Sequence, residues 1–188
     1  FDVKAEAHER LPDLALVGGE DRDRMIQAGV DISESGRAGS YIQKDGTAIY
    51  AAAKDEGVEV IPIREALEKH QWARDHYWKL LSVDTDKYTS RAYLDLHDGY
   101  VIRALPGSQV FFPVQACLYL EKQNFSQNVH NIIIAEEGSE LHIITGCVTA
   151  AHVSRGLHVG ISEFYVKKNA KLSFTMIHHW AEDMMVRP

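Results

Sequence analysis

Cysteine is scarce in this sequence, with only Cys117 and Cys147 in the whole chain. Two thiols are too few for a disulfide scaffold, and this scarcity predicts a reducing compartment, which we take to be the cytoplasm. Long apolar runs are also missing. A run such as residues 132–135 is far shorter than the roughly 20 residues needed to cross a bilayer. We therefore expect no association with membranes.

Clustered positive charge is absent as well. Residues 1–98 contain 13 Lys and Arg against 20 Asp and Glu, whereas residues 99–188 contain seven of each kind. The acidic surplus belongs to the N-terminal half, where we interpret it as a solvated surface. Neither half offers the basic patch that a phosphate backbone requires, so we expect no nucleic-acid partner.

The pattern of strand and helix signals in residues 1–82 predicts a small α/β domain. Lys44-Asp45-Gly46 separates two β-prone segments and predicts a hairpin. Residues 58–61 alternate like a strand and end at Pro62, and the good helix formers of residues 64–70 predict a helix. The polar stretch that begins at Ser82 marks a boundary, so we assign residues 83–98 to a linker that leads into the second part.

Residues 99–188 form a second, β-rich part with a 31-residue repeat. Gly107, Gly138 and Asn169 occupy equivalent turn positions, where the backbone needs a positive φ. An apolar pair follows each turn, namely Val110 and Phe112, Leu141 and Ile143, and Leu172 and Phe174. Each unit is a strand, a tight turn, a second strand and a longer return.

A fixed period of β-only units predicts a β-helix or a related solenoid, with an antiparallel sandwich as the alternative. The last repeat is followed by no polar capping unit. We therefore expect the core of residues 99–188 to be truncated at its C-terminal end or covered by another chain. Apolar side chains such as Phe174 and Met176 near an open end predict association through the strands of residues 164–186.

The stretch from Gly138 to Glu163 places Cys147 among three histidines. Alternate side chains of a strand point to opposite faces, so His142 and His158 lie opposite the strongest apolar rows of their strands. Cysteine and histidine on neighbouring strands are able to bind a soft transition metal or an iron–sulfur unit. No Cys-x-x-Cys, His-x-His or His-Glu-x-x-His motif is present, so the residues leave the metal unidentified.

The sequence resembles the SufB/SufD family of iron–sulfur cluster assembly proteins. The likeness is carried by Gly146-Cys147, by Leu157-His158 with Glu163, by Lys168-Asn169-Ala170 and by Trp180, and it extends in order from about Gly99 to Trp180. Two departures stand out: His178-His179 replaces the Gln-Asn that usually precedes the tryptophan, and the family continues beyond it with further coils.

This resemblance implies a right-handed parallel β-helix and a function as a scaffold of the SUF system rather than as an enzyme. It implies that Cys147 accepts or relays sulfur and that a transient iron–sulfur cluster is built, for which His142, His158 and Glu163 are candidate ligands. The implied partners are a SufC-type ATPase and a cysteine desulfurase or sulfur carrier. The resemblance also implies pairing through the β-helix, as a homodimer or a SufB–SufD heterodimer.

Two other functions stay open at this point. One is a metal-dependent β-barrel enzyme of the cupin kind that uses His130, His142, His158 and Glu163. The other is a non-catalytic assembly subunit in which all the histidines are structural. Cys117 lies in an apolar strand, where we expect a buried and inert thiol.

Overall fold

The structure is a computed structural model that describes residues 1–188. It is mainly β, with 43% of the residues in strands and 16% in helices, as the sequence predicts. The ten strands are β1 Gly39–Lys44, β2 Thr47–Ala53, β3 Val58–Pro62, β4 Tyr100–Ala104, β5 Val114–Leu120, β6 Ser126–Ala135, β7 Glu140–Thr149, β8 Arg155–Val166, β9 Lys171–His179 and β10 Asp183–Arg187. The helices are α1 Gly19–Gln27, α2 Ile63–Lys69, α3 Gln71–Arg74 and α4 Lys87–Leu94, and a 3-10 turn spans Leu14–Leu16.

The strands form two five-stranded sheets. The first has the order β2-β1-β5-β7-β9 and the second the order β10-β8-β6-β4-β3. From β4 onward, strands of the same sheet pair in parallel, and successive strands alternate between the sheets. One passage through both sheets returns the chain to the position beside its start, as the pairs Val101↔Ile132, Ser126↔Leu157 and Glu140↔Lys171 show. The period of the sequence repeat therefore has a structural basis, while right-handed winding stays a prediction.

The three turn residues of the repeat are equivalent, as predicted. Gly107, Gly138 and Asn169 have φ values of 72°, 72° and 57°. The N–H of Gly107 donates to the carbonyl of Glu137, and the N–H of Gly138 donates to the carbonyl of Lys168. The turns thus stack on one another, each in the left-handed conformation that favours glycine and asparagine.

The predicted equivalence of Phe112 and Ile143 is wrong. Gln109 bridges to Glu140 at the expected spacing, but Ile143 pairs with Val114. Two residues are therefore looped out of the first unit before β5 begins. As a result, the side chains of Phe111 and Phe112 are 86% and 49% exposed.

The N-terminal strands extend both sheets. β1 and β2 form the hairpin expected around Asp45, and β1 pairs in parallel with β5. β3 pairs with β4 at the edge of the second sheet. The segment assigned to a linker, residues 83–98, contains helix α4, which begins with a capping box formed by Asp86 and Thr89.

The largest hydrophobic cluster lies between the two sheets. It contains Val114 and Leu141 from the first sheet, and Ile102 and Val129 from the second, together with Cys147. A second cluster covers the opposite face of the first sheet, where helix α1 and its neighbours pack against Cys117 and Val148. Smaller clusters lie where helices α2 to α4 cover the outer face of the second sheet.

The helices are short. None of them combines the length and the apolar character that crossing a membrane would require.

The substitution Leu141→Ala tests the core between the sheets. Leu141 is 1% exposed, so its truncation should lower the free energy of unfolding by roughly 2 to 5 kcal/mol. The matched control is Leu94→Ala, whose side chain is 77% exposed and whose loss should cost less than about 0.5 kcal/mol. Urea denaturation measures both values. Equal costs for the two variants would place Leu141 outside the core.

Candidate functional site

Cys147 lies in β7 with its side chain between the two sheets. It is 1% exposed and belongs to the inter-sheet cluster. Burial raises the pKa of the Cys147 thiol to about 12. The neighbouring Gly146 has no side chain. A Cβ at this position would be on the other face of the sheet, 2.3 Å from the carbonyl oxygen of Ala28. Gly146 therefore gives space to the N-terminal segment and opens no path to the thiol.

His158 lies in β8 and also points between the sheets, although the apolar row of its strand points outward. The residues Leu157, Val159 and Ile161 of that row pack on the outer face with Ala92 of α4. Nδ1 of His158 lies 2.9 Å from Oε1 of Gln127 on the paired strand β6. The outer row of β8 is apolar because helix α4 covers it, while His158 and Ser162 belong to the inner row.

The protonation of His158 follows from its surroundings. Burial, reinforced by the nearby His178, lowers the pKa of His158 to about 3, so the imidazole is neutral at pH 7. The amide nitrogen of Gln127 donates to the carbonyls of Asp45 and Tyr119, which leaves Oε1 as the acceptor for Nδ1–H of His158. The other nitrogen, Nε2, is then unprotonated, and it is the atom that a metal would bind.

Space for this imidazole depends on Gly160. A Cβ at Gly160 would lie 2.9 Å from Nε2 of His158, closer than such contacts allow. The bare nitrogen therefore borders a small cavity between the sheets, of about 30 Å³, that is also lined by Cys147 and His178. A cavity of this size holds one or two water molecules. Cys147 and His158, both predicted from the sequence, thus meet at one place.

His178 is the residue of this cavity that the sequence analysis did not select. It pairs in register with Cys147 across β7 and β9. The ring of Trp180 lies 5.0 Å from that of His158 and 6.1 Å from that of His178. The signal that pointed to this pairing was the repeat, because Cys147 and His178 are one full period apart.

Glu163 lies on the outer face of the second sheet in a separate site. His130 Nε2 lies 2.8 Å from Oε1, and the backbone N–H groups of Trp78, Lys79 and Leu80 donate to the two carboxylate oxygens at 2.7 to 2.8 Å. Tyr165 donates to Oε2 at 3.1 Å. Every oxygen of Glu163 is therefore occupied by protein donors, and the carboxylate fixes the segment of residues 78–80 to the sheet.

The pKa of Glu163 reflects these contacts. Burial alone would raise this pKa, but the hydrogen bond from His130 and those from the N–H groups of Leu80 and Trp78 outweigh it. Together they lower the pKa of Glu163 to about 2. His130 is fully buried against the rings of Tyr77 and Trp78, and its Nδ1 has no hydrogen-bond partner.

The predicted ligands do not converge on one centre. His142 and Cys147 lie an odd number of residues apart on β7, as do His158 and Glu163 on β8, so each pair is divided between opposite faces. His142 lies against Thr175 on the partly exposed face of the first sheet. Cys147, His142, His158 and Glu163 therefore do not surround a single centre in this fold. The same geometry separates the four ligands of the cupin-like alternative, in which only His130 and Glu163 touch.

Cys117 is buried as expected. It points to the outer face of the first sheet, in the cluster covered by α1. Burial raises the pKa of its thiol well above the ordinary value. The two cysteines are free and lie on opposite faces of the same sheet.

Comparison with known proteins places these features in a family. Residues 118–186 match the SufBD core domain of SUF system FeS cluster assembly. This range includes β6 to β9, most of β10, and both Cys147 and His158. An iron–sulfur cluster assembly SufBD family protein of Archaeoglobus fulgidus is 51% identical over 170 residues, which are 90% of this chain and 46% of that protein. The chain belongs to the SufB/SufD family.

Other members share the same region. A SufBD family protein of Methanothermobacter thermautotrophicus is 47% identical over 192 residues, which cover 99% of this chain and 47% of that protein. The iron–sulfur cluster assembly protein SufB of Bacillus subtilis is 24% identical over 152 residues, or 78% of this chain and 33% of that protein. This SufB/SufD chain spans about half the length of the first two relatives.

The buried His158 predicts a pH-dependent stability. Between pH 6.5 and pH 3 the unfolded chain binds a proton at this residue and the folded chain does not, so stability rises with pH. The contribution is about 1.4 kcal/mol per pH unit within this window. In His158→Asn, which keeps a donor for Gln127, the free energy of unfolding should depend less steeply on pH in the same window. Urea denaturation at several pH values measures the slopes, and identical slopes would contradict a neutral His158.

The variant Glu163→Gln tests the outer site. Its amide nitrogen would face backbone donors, so the free energy of unfolding should fall by about 3 to 5 kcal/mol at pH 7. Because the folded pKa is lowered, this stabilisation is complete above about pH 4.5 and disappears as the pH falls through about 2. Hydrogen exchange at Trp78, Lys79 and Leu80 should also accelerate. The control is Glu137→Gln, which changes an exposed carboxylate. Equal losses of unfolding free energy would rule out a clasp in which Glu163 holds the backbone of residues 78–80.

Proposed function

We propose that this chain is a scaffold component of the SUF system and that Cys147 accepts or relays sulfur during iron–sulfur cluster assembly. The proposal rests on one observation above all: in a member of the SufB/SufD family, Cys147, His158 and His178 border the same small cavity between the sheets. It assigns the chain an assembly role rather than an enzymatic one. We further propose that the alternating strands wind as a right-handed β-helix.

The sulfur step has a simple balance. The thiolate of Cys147 attacks the outer sulfur of a donor persulfide, a new S–S bond forms as the donor S–S bond breaks, and the donor leaves as a thiolate. No net oxidation occurs, because the outer sulfur is only passed on. Cys147 must first lose its proton, which its raised pKa of about 12 opposes. The cavity must therefore supply a base or a charge.

The two histidines suit different parts of this chemistry. His158 has a pKa near 3, so it is a poor base, but its bare Nε2 is a suitable ligand for iron. His178 is exposed and pairs in register with Cys147, so we assign proton removal to it. A transient iron–sulfur cluster, in this proposal, uses Cys147 and His158, whereas His142 and Glu163 serve elsewhere in the structure.

The partners in this proposal come from membership of the family. They are a SufC-type ATPase, a cysteine desulfurase or sulfur carrier, and a second SufB or SufD chain that pairs through the β-helix in a reducing cytoplasm. The strands of residues 164–186 are the contact that we propose for pairing. Their many exposed side chains, such as Met176 and Val166, are consistent with that contact.

Persulfide labelling of cysteine variants tests the sulfur role. A desulfurase loaded with sulfur should label the chain and its Cys117→Ser variant equally, whereas Cys147→Ser should lose labelling with its thermal unfolding unchanged to within a few degrees. Both cysteines are buried, so the control matches the test residue in exposure. Equal labelling of the two variants would exclude a special role for Cys147 and favour a non-catalytic assembly subunit.

Anaerobic reconstitution with iron and sulfide tests the ligand role separately. Visible absorption and the iron-to-protein ratio should both fall in His158→Asn and stay unchanged in His142→Asn. A loss in His142→Asn alone would overturn the assignment of the ligands.

A further inference from the structure

Three potential metal ligands lie close together outside the inter-sheet cavity. They are His8 in the N-terminal segment, Asp45 at the tip of the β1–β2 hairpin and Glu121 just after β5. One donor atom from each residue lies within 4.8 Å of the other two. His8 Nε2 and Asp45 Oδ2 are 3.2 Å apart. Side chains from three separate chain segments thus present one imidazole nitrogen and two carboxylates to a common point.

The central ligand, Asp45, is held rigidly. It is 2% exposed and has a φ of 48°. Its Oδ1 accepts hydrogen bonds from the backbone N–H groups of Glu121 and Lys122 at 2.7 and 2.9 Å. Its carbonyl accepts from Gln43 and Gln127. These contacts direct Oδ2 toward His8, the one side chain within hydrogen-bond distance of it, so the orientation of this oxygen is set before any ion binds.

Space is available next to these donors. A cavity of about 300 Å³ is lined by Glu6, His8, Asp45, Glu121 and Lys122. Two ligands bound to the same zinc ion are at most about 4.2 Å apart, since each bond is close to 2.1 Å. The 3.2 Å between His8 Nε2 and Asp45 Oδ2 is within that limit, and no donor of the three is more than 4.8 Å from another. Small rotations of the partly exposed His8 and Glu121 would complete the set, with water in the remaining positions.

A lysine competes for one of these carboxylates. Lys44 Nζ lies 2.8 Å from Oε1 of Glu121 and 2.7 Å from Oδ2 of Asp21. Asp21 and Glu121 together neutralise this ammonium group, and Oε2 of Glu121 is left for an ion. The competition predicts moderate rather than very tight affinity.

From this geometry we propose that His8, Asp45 and Glu121 form a binding site for a divalent first-row transition metal such as Zn²⁺. A single imidazole with two carboxylates is a donor set for borderline cations, whereas Ca²⁺ and Mg²⁺ prefer oxygen alone. The bound ion would join the N-terminal segment, the hairpin and the turn after β5. It would act on the stability of the N-terminal part and is independent of the sulfur role proposed for Cys147.

Zinc titration of the whole chain tests the site. In a Cys147→Ser background, which removes the thiol of the inter-sheet cavity, isothermal calorimetry with Zn²⁺ alone should give one ion per chain. Saturating Zn²⁺ should raise the melting temperature by roughly 5 to 10 °C, because the ion binds only the folded chain. The test variants are His8→Ala and Glu121→Gln, both partly exposed and able to fold. Each should weaken binding by at least about tenfold.

Two controls separate this site from other zinc binding. His70→Ala and Glu137→Gln remove a histidine and a carboxylate elsewhere, and both should keep the affinity of the parent. Substituted Co²⁺ should show the visible bands of a low-coordinate site without thiolate charge transfer. Absence of stoichiometric binding at micromolar Zn²⁺ would overturn the proposal. Equal affinity in all four variants would overturn it too, since the zinc would then be bound elsewhere.

Discussion

Parallel pairing of strands that are one repeat period apart is the constraint on which the rest of this structure depends. It places each residue directly beside its equivalent in the next repeat, in the pairs β4–β6, β6–β8 and β7–β9. Because side chains alternate along each strand, this register also decides which residues meet between the sheets and which meet outside. Gln127 beside His158, Asn131 beside Ser162 and Cys147 beside His178 are products of the same rule. A polar row is thereby built inside an otherwise apolar core.

Two buried titratable groups on β8 have lowered pKa values for different reasons. Burial lowers the pKa of His158, whereas hydrogen bonds overcome the effect of burial on Glu163. His158 gains one hydrogen bond from its surroundings and no compensating charge, so the neutral form prevails and its pKa falls to about 3. Glu163 receives donors from a histidine, three backbone amides and a tyrosine, so the charged form prevails and its pKa falls to about 2. The first group keeps a free lone pair next to a cavity. The second has all its acceptor sites filled, which suits a structural clasp and excludes a role as a free ligand.

The proposed sulfur chemistry is placed in a demanding environment. A buried thiol is protected from oxidation, yet the same burial raises its pKa to about 12 and suppresses the thiolate. Accepting sulfur would require local opening, a change of charge or a metal near the cavity. Strands β9 and β10 are the least buried of the sheets, and β9 pairs with the strand of Cys147, so the shortest route from solvent to this thiol passes beside β9. Comparison of the chain alone with longer members of its family would show how that side is used.

Several features followed from the sequence because they depend on local chemistry. The hairpin at Asp45, the strand and helix that flank Pro62, and the left-handed turns at Gly107, Gly138 and Asn169 need only short-range backbone preferences. The resemblance to the SufB/SufD family was also visible in residues such as Cys147, His158 and Trp180. Alternation correctly placed His158 opposite the apolar row of its strand, since it is a property of any strand.

Tertiary structure decided which face of each strand is inside. The apolar row of β8 points outward because α4 covers it, and no local pattern announces that cover. The spacing of the repeat had suggested that Phe112 is equivalent to Ile143, but Val114 takes that place. A two-residue insertion shifts the register, and the apolar pattern of the sequence does not reveal the shift. The clasp of Glu163 with the backbone of residues 78–80, and the meeting of His8, Asp45 and Glu121, join segments that are far apart in the sequence. The sequence by itself determined the repeat period and the locally encoded turns and strands. Helix α4 and these long-range contacts required the fold, since only the packing of distant segments fixes which side chains share a space.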